Sequence, residues 1–132
     1  MRYLILAVLA LYGLVASVPA SWTHFEIGYV DVNYPNVAFN SRVKRDFLGS
    51  YSVTIRNTEG SVVCESHSGV FTYRSRVAIG ARRVESLEWW APGCGDLEPG
   101  TYTMDTTWTI HRGWRILPNQ HVTITSNEFK VN

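Results

Sequence analysis

From Ser21 to Asn132 apolar residues recur with period two, and no stretch of helical period runs longer than about two turns. A chain patterned this way satisfies its backbone by pairing strands, so the expected class is all-β. The clearest strand is Tyr102 to Ile110. Tyr102, Met104, Trp108 and Ile110 fall on one side of it, and Thr103, Asp105, Thr107 and Thr109 on the other. Tyr51 to Arg56 repeats the pattern, with Tyr51, Val53 and Ile55 inward. Asn57-Thr58-Glu59-Gly60 then supplies turn residues before Ser61 to Cys64 resumes β-propensity, which predicts a hairpin. Further strands are expected over His24 to Val32, Val70 to Tyr73, Val84 to Trp89 and His121 to Val131. In the last, Val122 and Ile124 share one parity and Phe129 and Val131 the other, which predicts a bulge or break near Ser126-Asn127. About seven short strands in roughly 110 residues is the strand density of a sandwich.

Three connections are long enough to carry a function. Asn33 to Asp46 holds Tyr34-Pro35-Asn36 and the basic cluster Arg42, Lys44 and Arg45. Ser75 to Arg83 holds Arg76, Arg82 and Arg83, and His111 to Gln120 holds Trp114 and Arg115.

The first twenty residues are of another kind. Arg2 gives a positive start, Tyr3 to Val18 is almost continuously apolar, and Val18-Pro19-Ala20 places small residues at the two positions a signal peptidase inspects. The expectation is a signal peptide over 1–20, cleaved after Ala20, and one domain over 21–132. The apolar run is shorter than the roughly 20 residues that cross a bilayer, so no membrane span is expected after cleavage. The destination is secreted or periplasmic.

With 132 residues there is room for one core, and 45% hydrophobic against 17% charged residues is the composition of a chain that can bury it. Twelve basic and eleven acidic side chains leave a formal charge of +1, without the basic excess that neutralises phosphates, so no nucleic acid is expected as partner. The two cysteines, Cys64 and Cys94, have a single intramolecular pairing, and in an oxidising compartment a structural disulfide is expected. A catalytic thiol or a metal pair is the alternative, but neither a CxxC spacing nor an adjacent His supports it.

One motif carries a fold. Leu97-Glu98-Pro99-Gly100-Thr101-Tyr102 opens the clean strand and resembles the Leu-x-Pro-Gly-x-Tyr corner of immunoglobulin-like and fibronectin-III-like sandwiches. The resemblance covers about fifteen residues. It implies a single immunoglobulin-like antiparallel β-sandwich in which the Tyr102 hydroxyl reaches back to backbone just upstream, with Leu97, Pro99 and Gly100 shaping the turn. Antibody domains place their second Cys two residues after this Tyr, where this chain has Met104. The disulfide is therefore expected to tie a loop or neighbouring strands rather than pin the two sheets. The alternative is an ordinary turn before a strand.

Such sandwiches serve many functions, so function has to be read from a site. His24, His67, His111 and His121 are scattered without metal-ligand spacing, and no metal or cofactor is expected. No nucleophile elbow, zincin motif, P-loop or dinucleotide fingerprint is present, and Glu85 and Glu88 beside Arg82 and Arg83 read as a solvated face; the chain is not expected to be an enzyme. Aromatic residues are the remaining signal. Trp89 and Trp90, consecutive on an expected strand, should face opposite ways, so one is exposed or at an edge. Trp114 between Arg112 and Arg115 repeats the pairing of an aromatic with arginine that interfaces favour. The alternatives are a Trp covered by a loop and a cation–π staple. These five residues, Trp89, Trp90, Trp114, Arg112 and Arg115, are the candidate binding residues of a non-enzymatic module for a protein at the envelope or cell surface. A carbohydrate-binding module is the second reading and a periplasmic metal carrier the third.

Overall fold

The computed structural model describes residues 2–75, 82–111 and 118–132. Two short hairpin-built sheets dominate it, and every pairing is antiparallel. The N-terminal apolar segment forms helix α1 (Arg2–Ser17), none of whose side chains is buried, followed by a single turn, α2 (Ala20–Thr23). No described helix is long and apolar enough to cross a membrane.

The first sheet has three strands in the order β1 (Phe25–Asn33), β2 (Asn36–Val43) and β6 (Arg83–Ser86). Strand β2 lies where a long connection was expected. Tyr34-Pro35, joined by a cis peptide bond, makes a two-residue loop, so that Asn33 faces Asn36 and Val32 faces Val37. The Pro and Asn that punctuate the sequence therefore mark a tight turn, and the Val37-Ala38-Phe39 run behind them is a buried central strand. In β1 the register shifts between Ile27 and Tyr29, and this bulge brings Phe25 and Ile27, then Val30 and Val32, to the same core despite their opposite parity.

The second sheet centres on β3 (Phe47–Asn57) and β7 (Gly100–His111), paired over ten positions from Leu48↔His111 to Asn57↔Tyr102. On the outer side of β3 lie β4 (Val62–His67) and β5 (Phe71–Tyr73); on the outer side of β7 lie β8 (Gln120–Thr125) and β9 (Phe129–Val131). The expected hairpin is β3–β4, turned by Asn57 to Gly60 with Gly60 at a positive φ of 81°. The expected break at Ser126-Asn127 is present and used. Met104 N–H donates to Ser126 Oγ (3.0 Å), and the Asn127 amide pairs with the backbone of Val32 through both its groups (2.7 and 3.0 Å). Asn127 thus ties the second sheet to β1 of the first.

The sheets pack face to face across one core, with Val30, Val32, Val37 and Phe39 from the first meeting Val53, Ile55, Met104, Trp108 and Ile110 from the second. The alternation read in Tyr102 to Ile110 holds through all of β7, and Thr106 joins the buried face. The fold is all-β and sandwich-like.

The strand expected over Val84 to Trp89 is cut short. Strand β6 ends at Ser86, and Leu87–Trp90 form a single helical turn, α3. Ser86 Oγ caps it by accepting from Trp89 N–H (3.1 Å), and the Leu87 N–H donates to Pro35 O (2.8 Å). This local hydrogen bonding outweighs the β-propensity of the tryptophans. Past α3, a loop to Gly100 contains Cys94.

Candidate functional site

On the side of the sandwich where β6 and β5 run, the two sheets leave a cleft of about 660 Å³. Its floor is aromatic, with rings from β1, β2, β3, β5, β7 and the α3 turn. Phe25 from β1 and Trp108 from β7 lie 5.2 Å apart by ring centroid, and Trp90 meets Trp108 edge-on at 6.0 Å. Tyr73 of β5 stacks on Phe47 at 4.7 Å with the planes 9° apart, and meets Phe71 at 4.4 Å with the planes tilted by 32°. The stacking needs Gly49 beside it: a Cβ there would stand 2.9 Å from both a Phe47 ring carbon and the Thr109 carbonyl oxygen.

Trp89 and Trp90 separate as the sequence requires, though a helical turn does it rather than a strand. Trp90 is 5% exposed, with its indole N–H donating to Thr106 Oγ1 (3.0 Å) and its carbonyl accepting from the Tyr51 hydroxyl (3.0 Å). Trp89 is 52% exposed and lies nearly parallel to the buried Phe39, 14° apart at 6.3 Å. Above these two rings sits the Arg83 guanidinium, 5.6 Å from the Phe39 centroid and 5.9 Å from that of Trp89. Trp89 and Phe71 are the exposed rings of the cleft, and Arg42, Arg74 and Arg83 edge it. Of the described lining residues three are cationic and none is a carboxylate. Arg83 pairs with Glu85 (3.3 Å), Arg74 lies in the field of Asp46, and Arg42 makes no ion pair among the described residues. Arg112, Trp114 and Arg115 lie outside the described residues.

The titratable groups around the cleft have structural partners. The Tyr73 hydroxyl, beside Trp108, is closed off from solvent, has no hydrogen bond of good geometry among the described residues, and is pushed up by burial, so it stays a neutral phenol. Burial also raises Tyr51. Glu88, one of the two carboxylates noted in the sequence, accepts from the Gly93 and Gly95 N–H groups (2.9 and 2.8 Å), which holds its pKa below the ordinary glutamate value. It thereby clamps the loop that carries Cys94. Cys64 and Cys94 are bonded, joining β4 to that loop, so the bridge ties a strand to a loop. His24 lies in the turn before β1 and His67, His111 and His121 on β4, β7 and β8, and among the described residues no three His, Cys, Asp or Glu side chains gather as a metal would require.

At the other end of β7, Tyr102 is 8% exposed and its hydroxyl donates to the Glu98 carbonyl (2.6 Å), the upstream hydrogen bond implied by the Leu-x-Pro-Gly-x-Tyr resemblance. Leu97 packs against the core from the start of this turn.

The sequence pointed at Trp89, but not at Arg42, Phe39, Phe71 or Arg83 beside it. The signal for two of these was the basic content of the connections Asn33 to Asp46, which turns out to contain β2, and Ser75 to Arg83, whose last residue opens β6.

Fold and site together define an all-β, disulfide-bonded domain of two packed sheets with an aromatic cleft edged by arginine. No family model matches the chain, and no curated protein matches its sequence. Among the solved structures it is similar to R. palustris CsgH, determined in solution, at 16% identity over 81% of this chain and 90% of that one, with a TM-score of 0.31.

Proposed function

We propose that the chain is an exported, non-enzymatic β-sandwich of the immunoglobulin-like kind, and that it binds another protein through the cleft between its sheets. The observation that carries this is the pairing of exposed Trp89 and Phe71 with an arginine edge over an apolar floor, the residue chemistry in which interface energy concentrates. The Tyr102 hydrogen bond to Glu98 supports the immunoglobulin-like assignment, and the exposed apolar α1 followed by Val18-Pro19-Ala20 supports export with a start at Ser21. A carbohydrate partner ranks second, because the two exposed rings sit on opposite walls of the cleft rather than in a row along one sheet.

The test is a photo-crosslinking amino acid placed at position 89 in cells expressing the full chain, followed by fractionation and mass spectrometry. A discrete protein adduct in the exported fraction, on a chain whose first residue is Ser21, is the expected result. A chain retained in the cytoplasm, or adducts with no defined protein, removes the reading.

A further inference from the structure

Resting on that reading, we infer that the cleft takes an extended partner segment in which a bulky apolar side chain is flanked by Asp or Glu. The floor offers ring faces and no described carboxylate, while Arg42, Arg74 and Arg83 surround it on three elements: β2, the end of β5 and β6. Each of these cations is solvent-exposed, so an incoming carboxylate meets charge without first having to bury it. A volume of about 660 Å³ is enough for one or two large side chains and their backbone, but not for a folded element.

Two features of the walls select this mode over addition of a strand to the sheet edge. Strand β6, the edge of the three-stranded sheet, is only four residues long, and its Arg83 turns inward over the Phe39 ring and holds Glu85. Inward charges and short length are how sheet edges are kept from pairing with other chains. The same Arg83, unable to serve a strand partner, is placed to cap an aromatic anchor inserted beside Trp89, with its guanidinium already over the two rings. Apolar contact then sets affinity, and the arginine edge sets which segments enter.

The experiment measures fluorescence polarisation of labelled twelve-residue peptides against the protein purified from cells expressing the full chain. One peptide alternates Asp and Glu with Phe and Leu; a second carries Lys in place of the acids; a third carries Ser in place of the apolar residues. The first should bind, the second and third at least about tenfold more weakly. Arg42→Glu and Arg74→Glu should each weaken the first peptide by more than about threefold and together by more than about tenfold, and the double variant should gain affinity for the Lys peptide. Circular dichroism melts of these surface variants confirm that they fold. Raising salt from about 50 to about 500 mM should weaken both acidic peptides, with the first keeping the residual binding that its apolar side chains supply and the third losing what binding it has. Equal binding of acidic and basic peptides, or binding indifferent to the arginine substitutions, overturns the inference. So does saturable binding of decanoate where no peptide binds, which would mark a site for small amphiphilic acids. If all three peptides fail while Trp89 still crosslinks to a discrete exported partner, the acidic-segment inference falls and the protein-binding reading stands.

Discussion

Tyr102 shows how one side chain can decide a chain direction. Its ring is in the core and its hydroxyl reaches back four residues to Glu98 O, which fixes the turn through Pro99 and Gly100 as β7 begins. Tyr102→Phe keeps the ring and removes only that bond. It should cost about 1–3 kcal/mol, toward the low end because the Glu98 carbonyl can reach water. Denaturant melts of the two proteins with equal slopes would show it, whereas coincident midpoints would mean that the hydroxyl does not hold the turn. Glu88 works at the same scale through charge. Its pKa is lowered by the Gly93 and Gly95 amides, so the stabilisation is present above the ordinary glutamate range and is lost as pH falls through the lowered value. The Gly93 and Gly95 amide resonances should therefore titrate together at a pH below that of an ordinary glutamate, and the transition should vanish in Glu88→Gln. Both residues could be singled out from the sequence, but only Tyr102 could be given its role, since the Pro-Gly turn before it is local and the glycines that hold Glu88 are not signalled by any pattern.

At the scale of elements, α3 has the largest consequence. A strand through Val84 to Trp89 would have sent the two tryptophans to opposite faces of a sheet. The Ser86-capped turn instead drops Trp90 into the core beneath Phe39 and leaves Trp89 on the cleft wall. The two should respond differently to truncation. Trp90→Ala removes a buried indole together with its bond to Thr106 and should cost about 3–5 kcal/mol, while Trp89→Ala should stay within about 1 kcal/mol of wild type in the same melts. Equal losses would place both rings in the core. The expected strands with clean alternation, β3 and β7, and the phase break before β9 were legible because one face of each is buried and period two records it. Strand β2 was not. Its turn is only two residues, its apolar run Val37-Ala38-Phe39 does not alternate, and the polar residues on either side read as a loop.

For the whole molecule, the bond between Cys64 and Cys94 spans 30 residues and joins β4 to the loop after α3. Closing a loop of that length stabilises the fold by about 3–4 kcal/mol through the unfolded chain, a large share of what a domain this size has. Replacing both cysteines with Ser should lower the denaturation midpoint accordingly, and an unchanged midpoint would show that the α3 loop is held by Glu88 and Tyr34 alone. What the sequence determined by itself is the all-β class, an apolar N-terminal segment set apart from it, the two cysteines as a pair, the turn that starts β7 and the division of Trp89 from Trp90. Each is a local matter of period, composition or short-range turn chemistry. The tertiary structure alone decided that β2 and β6 join β1 in a sheet packed over β3 and β7, that Asn127 bridges to Val32, and that arginines from three places in the chain meet around one aromatic floor. Those contacts join residues tens of positions apart, and no periodicity along a chain records which of its faces will meet.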